Sequence, residues 1–429
     1  MKENVFQNDE ALKRELLRCM KCGNCMAVCP VYSSETKESA VARGKIALGE
    51  AYLSGSISGE ELKNLLYNCL VCKSCMMACP SGVKFDRIIL ALRHRLAREK
   101  GLPPVKKAAF WSLSHPAILA KGAKVSAKLQ NLFLRQKDRG LRSPRSFLKS
   151  ISRRFDEDFV VPELPLKSFR ETVPEVINSP DYQATALFFT GCSINYIYPE
   201  IGNDIILVLK KNRVKILIPG DQSCCGMPVM VHGDIECARE LARNNIDLFE
   251  RLNPQFVVTG CASCASALKS EYPVIFEGDA EYEGKAAKWA DRTYDITSFL
   301  LKAVKFRKPE GRLDLSVTYH DPCHLKKSVK VWAEPREIIK SIPGIKFVEM
   351  RAPDACCGSG GSYHLSHPEN SLKILKSKIE DVKKTKADVV VTECPACLMQ
   401  LTDGVFRYNA GTGVRHVISL LADAYRSED

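Results

Sequence analysis

The sequence predicts an α + α/β chain: a helical N-terminal domain built around two cysteine loops, then an α/β unit present twice. Three observations predict it. A C-x2-C-x2-C-x3-C-P run occurs twice within the first 80 residues, with helical periodicity between the copies. Three cysteine landmarks in the C-terminal half recur at offsets of 131, 132 and 133 residues. A basic, cysteine-free segment separates the two patterns. At 429 residues and 45% hydrophobic content, the chain can bury a real core across two or three domains.

Nineteen cysteines are too many for an ordinary cytosolic protein. Disulfides belong to oxidising compartments and mostly to short secreted chains. Here the chain is long, the cysteine count is odd, and the opening MKENVFQNDEALKRELL lacks an apolar leader core. No apolar run is long enough to span a bilayer. The expected location is the cytoplasm, or the cytoplasmic face of a membrane as a peripheral protein. Eighteen cysteines fall into four motifs; only Cys237 is left over, and its helical surroundings suggest a small buried hydrophobe.

The first motif is Cys19, Cys22, Cys25, Cys29 and Pro30; the second is Cys69, Cys72, Cys75, Cys79 and Pro80. This is the run used by two-cluster ferredoxins. Three close thiolates on a tight loop grip one face of a 4Fe–4S cube, and the fourth reaches the other cube. Cluster 1 is therefore expected on Cys19, Cys22, Cys25 and Cys79, and cluster 2 on Cys69, Cys72, Cys75 and Cys29. Zinc, which wants two C-x2-4-C pairs for one tetrahedron, would leave a cysteine over in each loop. The proline should stop the loop from continuing as a helix. Between the runs, Ala42, Ile46, Ala47 and Leu48, then Leu62, Leu65 and Leu66, follow a helical period. The residues Phe85 to Arg98 read as a closing helix.

Residues 87–170 hold 20 Lys/Arg against 6 Asp/Glu, so the net charge of +13 resides in this one segment. Within 105–140, Phe110, Trp111, Leu113, Ile118, Leu132 and Phe133 could form an apolar stripe beside Lys106, Lys107, Lys121, Lys124 and Lys128. Such a basic amphipathic segment can lie on an anionic membrane, dock on an acidic partner, or pack on its own protein. No nucleic-acid-binding motif accompanies the charge.

From residue 184 the chain repeats. ALFFTGC ends at Cys192, ILIPGDQSCCG carries Cys224 and Cys225, and FVVTGCASC carries Cys261 and Cys264. LSVTYHDPC ends at Cys323, FVEMRAPDACCG carries Cys356 and Cys357, and VVVTECPAC carries Cys394 and Cys397. The near-constant offset marks a duplication. Each landmark follows a β-branched run and precedes a helical pattern, which predicts parallel strands with crossover helices. Five thiols per copy would then meet beyond the carboxyl ends of strands, where open α/β sheets bind cofactors. A structural zinc with spare thiols is the alternative occupant.

On these residues the chain resembles the CCG (cysteine-rich) domain family. Copy one has 31 residues between Cys192 and Cys224 and 35 between Cys225 and Cys261; copy two has 32 and 36. The whole arrangement, a helical two-cluster ferredoxin domain followed by a duplicated α/β CCG domain pair, is similar to the iron–sulfur subunits of glycolate or lactate oxidases. It also resembles one of the subunits of anaerobic glycerol-3-phosphate dehydrogenase and the catalytic subunit of membrane-bound heterodisulfide reductase. The domains would be 1–100, a basic connector at 101–180, and CCG domains at 181–305 and 306–429. The resemblance implies one or two further non-cubane 4Fe–4S clusters, on Cys192, Cys224, Cys225, Cys261 and Cys264 and on Cys323, Cys356, Cys357, Cys394 and Cys397.

The expected function is an electron relay. A FAD-containing 2-hydroxy-acid oxidising subunit would pass electrons to this chain, which carries no flavin site of its own. Quinone or a membrane cytochrome would accept them. The alternative makes the chain a catalyst that reduces a disulfide at a CCG cluster. In HDPCH, His320, Asp321 and His324 flank Cys323: His320 and His324 are the candidates for a catalytic role, as donors of hydrogen bonds that tune a cluster's potential or as groups that pass a proton, and a plain cap at the strand end is the alternative; His364 and His367 are further candidates. The GSGGS run at 358–362 lacks dinucleotide spacing and reads as backbone room for a cluster.

Overall fold

A computed structural model describes residues 4–138, 140–150 and 154–428. The chain is helical up to Phe133, with no strand among the described residues before Leu134. Helix Asp9–Leu17 begins at Asn8, whose side chain accepts from the Glu10 and Ala11 amides. Helices Ala42–Leu53 and Gly59–Tyr67 fill the space between the two cysteine loops, the second opened by a Ser58–Glu61 capping box. Helix Phe85–Lys100 closes the domain and buries Ile88, Ile89, Leu92 and Leu96 against Leu12, Leu16, Leu62 and Leu66. Each such aliphatic contributes about 1.5–3 kcal/mol by leaving water. Pro30 starts a new helix, Pro30–Glu35, where its fixed φ and missing N–H suit the first position; Pro80 lies in a turn.

The basic connector forms helices Pro104–Ser114 and Pro116–Phe133, then a small antiparallel sheet of β1 (Leu134–Asp138), β2 (Leu141–Pro144) and β3 (Val161–Pro162). The expected single apolar stripe divides in two. Phe110 is buried and Leu113 packs on the core, whereas Trp111, Ile118, Leu132 and Phe133 face solvent. Pro116 causes the division, because His115 must leave the helical region ahead of it and the second helix starts in a new direction.

The repeats form two sheets of one topology. The first has β4 (Val176–Ile177), β5 (Ala184–Phe188), β6 (Val214–Leu217), β7 (Phe256–Thr259) and β8 (Thr293–Asp295), in the order β4-β6-β5-β7-β8. The second has β9 (Ser316–Tyr319), β10 (Lys346–Phe347), β11 (Val389–Thr392) and β12 (Gly413–His416), in the order β10-β9-β11-β12. All pairs in these two sheets are parallel except that of the extra edge strand β4. Crossover helices Ile235–Leu252 and Pro368–Thr385 stand at like places in the two copies. The two sheets share one core through Ile205, Val208, Val317, Leu420 and Tyr425. The helical domain shares another core with the first repeat, in which Leu66 and Leu92 join Met227, Met230 and Phe249. Among the described residues, no helix is long and apolar enough to cross a membrane.

Candidate iron–sulfur centres

Each N-terminal loop turns twice through the left-handed region. Lys21 and Gly23 have φ of 58° and 89°; Val71 and Lys73, at the same places in the second loop, have 51° and 61°. These kinks on either side of the second cysteine turn three thiols toward one point. A β-branched residue such as Val71 costs about 1–3 kcal/mol there, so the loop shape is imposed by what surrounds it. One cavity of about 30 Å³ is lined by Cys19, Cys22, Cys25 and Cys79, with Cys75 on the wall between sites. A second, also about 30 Å³, is lined by Cys29, Cys69, Cys72 and Cys75. The fourth thiol of each set thus comes from the other loop. Cys22 is exposed and Cys72 is buried, so the two sites differ in access to solvent.

All nineteen cysteines are free thiols. Burial pushes the Cys29 thiol up to about 11 and the Cys75 thiol well above its usual range. A dry pocket that collects sulfur and resists thiolate charge wants a cation. The donor set fits an iron–sulfur group.

In the repeats the thiols come from three loops at the carboxyl ends of strands. Cys192 follows β5, Cys224 and Cys225 follow β6, and Cys261 and Cys264 follow β7. Cys323, Cys356 with Cys357, and Cys394 with Cys397 follow β9, β10 and β11 in the same way. The glycine after each cysteine pair is left-handed, with φ of 80° at Gly226 and 85° at Gly358. A Cβ on Gly358 would stand 2.7 Å from the Ser371 carbonyl oxygen, so only glycine lets the loop lie on the crossover helix. Sulfur contacts link all five thiols of the first set and Cys356, Cys357, Cys394 and Cys397 of the second. Cys225 is held down to about 6 by hydrogen bonds from Cys224 and Cys264, and Cys357 well below the thiol range by Cys356 and Cys397. Cys394 is held low first by Cys261, a thiol of the other set, so the two sets touch. Around that contact the Ala262 amide donates to the Glu393 carbonyl at 3.0 Å, and His416 Nε2 meets the Gly260 carbonyl at 2.9 Å.

The second N-terminal loop meets the second repeat. Leu70 and Cys72 pack with Tyr363 and Ile374, and Cys29, Cys323 and Cys356 lie against that cluster. Gly360, in the 358–362 glycine run, accommodates the Leu70 side chain. The four sets therefore follow one another through the molecule: Cys19, Cys69, Cys323 and Cys192 sets in turn.

The 4Fe-4S dicluster domain family matches residues 15–83, and the Cysteine-rich domain (CCG) family matches 186–269 and 317–402. The chain is 32% identical to a probable glycolate oxidase iron-sulfur subunit of Bacillus subtilis, over 96% of this chain and 94% of that protein. It is 28% identical to one of the subunits of the dihydromethanophenazine:CoB–CoM heterodisulfide reductase of Methanosarcina barkeri, over the same shares. Lactate utilization protein A of Oceanobacillus iheyensis is 31% identical over 55% of this chain and 95% of its own length. The chain belongs to the family of iron–sulfur oxidoreductase subunits that join a dicluster domain to two CCG domains.

In CCG domain 2, His320 is buried, with both ring nitrogens lacking a hydrogen-bond partner and one close to Cys357 and Cys397. His324 Nδ1 lies 3.1 Å from Ser263 Oγ, and burial followed by the Lys73 charge holds the ring down to about 4. Asp321 is taken up by Arg336, at 2.8 and 3.0 Å, and is a structural anchor. His364 and His367 lie off the thiol sets, His367 stacked on Tyr363 at 4.7 Å. Cys237 is half-buried beneath the connector, its Sγ 3.7 Å from Ser114 Oγ; the covering helix leaves its rim open.

Sequence reasoning missed Lys73. This lysine stands where the first loop has Gly23, and it is buried between Glu271 at 2.5 Å and Asp86 at 3.0 Å. A bulky cation at a position whose twin is a left-handed glycine was the available signal. Arg93 was missed as well; it donates to the Leu66, Cys69 and Val231 carbonyls at 2.7, 2.9 and 2.6 Å and ties the second cluster loop to CCG domain 1. A cleft of about 960 Å³ opens between Cys29, Ser74 and Met77 on one wall and Lys327, Asp354 and Cys356 on the other.

Proposed function

We propose that this chain is the iron–sulfur electron-transfer subunit of a complex that oxidises a 2-hydroxy acid such as glycolate or lactate. One observation carries the reading: four thiol sets adjoin one another through a single body, the last two in sulfur contact across Cys261 and Cys394. When bound, iron–sulfur clusters supply one-electron carriers at closely spaced points. The chain's own residues hold and space them. Cys19, Cys22, Cys25 and Cys79 would hold one cubane, and Cys69, Cys72, Cys75 and Cys29 the other. The five cysteines of each CCG domain would hold a non-cubane cluster. Leu70, Tyr363 and Ile374 exclude water between the second cubane site and CCG domain 2. An FAD-containing partner would deliver electrons, and quinone or a membrane cytochrome would take them.

The connector supplies a surface for such a meeting. Residues 104–133 carry five lysines and no acidic residue. Ile118, Val125, Leu129 and Leu132 follow one another at spacings of seven, four and three along an exposed helix face. This basic apolar face would bring the chain to the anionic membrane where its acceptor lies.

A second reading, disulfide reduction at CCG domain 2, is favoured by the cleft that leads solvent to Cys356. Anaerobic purification from the native host separates the two. Co-purification of a hydroxy-acid flavoprotein, and reduction of this chain by lactate or glycolate only in its presence, supports the relay. A disulfide-reductase partner without that flavoprotein would overturn it. Iron analysis counts the sites: about sixteen irons for four filled sites, about eight for the two cubanes alone.

A further inference from the structure

The two CCG domains share a topology but differ at one buried residue beside the thiols. Phe189 directly follows β5 and His320 directly follows β9, the matching strands of the two sheets. The Phe189 amide donates to the Val258 carbonyl at 2.8 Å, and the His320 amide to the Val391 carbonyl at 2.8 Å. Val258 and Val391 are themselves twins in the repeat. Phe189 is fully buried and packs edge-on to Phe249 at 6.2 Å. His320 is 1% exposed, and neither ring nitrogen has a hydrogen-bond partner. One ring nitrogen and the Cys357 and Cys397 sulfurs all lie within 4.8 Å of one another.

A buried polar group left unpaired is costly, and the twin position shows that an aromatic hydrocarbon fits this place in the fold. The imidazole therefore needs a partner that the nitrogen and oxygen atoms of the described residues do not supply. The acceptors it faces are the sulfurs of the second set. Hydrogen bonds to cluster sulfur favour the more negative, reduced state and raise the potential.

We infer that His320 is a positioning residue that donates a ring N–H to sulfur at the Cys357/Cys397 side of the CCG domain 2 site, making that site the higher-potential member of the pair. Phe189 leaves the CCG domain 1 site without this donor. The inference rests on the reading that CCG domain 2 holds an iron–sulfur cluster. Electrons arriving from the second cubane site would then dwell beside the cleft that reaches Cys356, before or instead of crossing to CCG domain 1.

The test is a redox titration of the full chain, anaerobically reconstituted with iron and sulfide and followed by electron paramagnetic resonance. The CCG domain 2 signal is assigned by its loss in Cys357→Ser. In His320→Phe that signal should titrate lower, by about tenfold in the reduced-to-oxidised ratio at fixed potential, about 59 mV for one electron. His320→Gln, which keeps an N–H donor, should stay near wild type. An unchanged potential in His320→Phe would overturn the inference. So would loss of iron from this site in both variants, which would make the imidazole a ligand. A measurement on the unmutated chain stands independently of how the variants fold. With ¹⁵N-labelled histidine, a weak nitrogen coupling to the CCG domain 2 signal is expected. A strong coupling of a coordinated nitrogen, or none, would refute the donor role. Wild-type protein lacking iron at this site would instead refute the cluster reading itself.

Discussion

Replacing Lys73 by methionine tests how the dicluster domain is fastened to the CCG pair. The ammonium is 2.5 Å from Glu271, 3.0 Å from Asp86 and 3.1 Å from Ser328 Oγ, and all three charged side chains are nearly buried. Glu271 belongs to CCG domain 1 and Ser328 to CCG domain 2, so one lysine joins three parts of the chain. Methionine keeps the length of the side chain and the same left-handed backbone cost, so the difference reports the lost charge. Removing one partner of a buried ion pair leaves an uncompensated charge and costs about 3–5 kcal/mol. Urea unfolding of the anaerobic protein, followed by tryptophan fluorescence and by iron–sulfur absorbance, should show that loss. Adding Glu271→Gln should restore part of it, because the stranded carboxylate is then gone. Burial works against the ammonium, but Glu271 and Asp86 outweigh it and raise its pKa above 10.5. A raised pKa gives stability that is complete below the unfolded value and disappears only as pH rises beyond the folded one. The deficit should therefore be equal at about pH 6 and about pH 9. A Lys73→Met protein within about 1 kcal/mol of wild type would refute the reasoning.

Three further outcomes are expected. His232 is held down to about 4 by burial and then by the charges of Lys106 and Arg93, so the unfolded chain binds the extra proton between about 6.5 and 4. Stability should fall by roughly 2–3 kcal/mol as pH drops through that window, and His232→Gln should flatten the fall in pH-dependent urea titrations. A Cβ on Gly360, where φ is 50°, would stand 2.5 Å from Leu70 Cδ2 and 2.8 Å from Tyr363 Cβ. Gly360→Ala should cost about 1–3 kcal/mol and slow stopped-flow reduction of the CCG sites while leaving reduction of the cubane sites unchanged. The triple change Lys121→Glu, Lys124→Glu and Lys128→Glu should abolish low-salt co-sedimentation with phosphatidylserine vesicles; wild-type binding that ignores salt and lipid charge would refute membrane contact through this face.

The α + α/β class and the duplication were legible because the cysteines act as fixed landmarks and the offset between copies barely drifts. The helical insert was legible because Ile46, Leu62 and Leu66 keep a period that strands cannot use. What the sequence concealed were contacts made between distant segments. Nothing local to Lys73 announces Glu271, nearly two hundred residues on, and nothing in HDPCH tells His320, turned toward sulfur, from Asp321, turned toward Arg336. The division of the connector's apolar residues was not legible, because residue spacing does not carry the change of direction at Pro116.

A duplicated domain begins with two equal sites, and the surroundings then decide what each site does. CCG domain 2 faces the second cluster loop through Cys72 and opens to the cleft at Cys356. CCG domain 1 has Cys192 and Cys224 roofed by Leu113, Pro116 and Leu119 of the connector and by Arg170. One site thus lies between the second N-terminal thiol set and solvent; the other lies behind it, under the segment that presents the basic face. If electrons leave at the membrane, they cross from Cys394 to Cys261 and exit beneath the connector. If they leave to a soluble molecule, they stop at CCG domain 2, and CCG domain 1 stores one more electron. Cys192→Ser, which alters the roofed site alone, decides between these routes. It should halt electron delivery to a membrane quinone while sparing delivery to a small soluble acceptor. Equal loss with both acceptors would mean that the two CCG sites act as one unit.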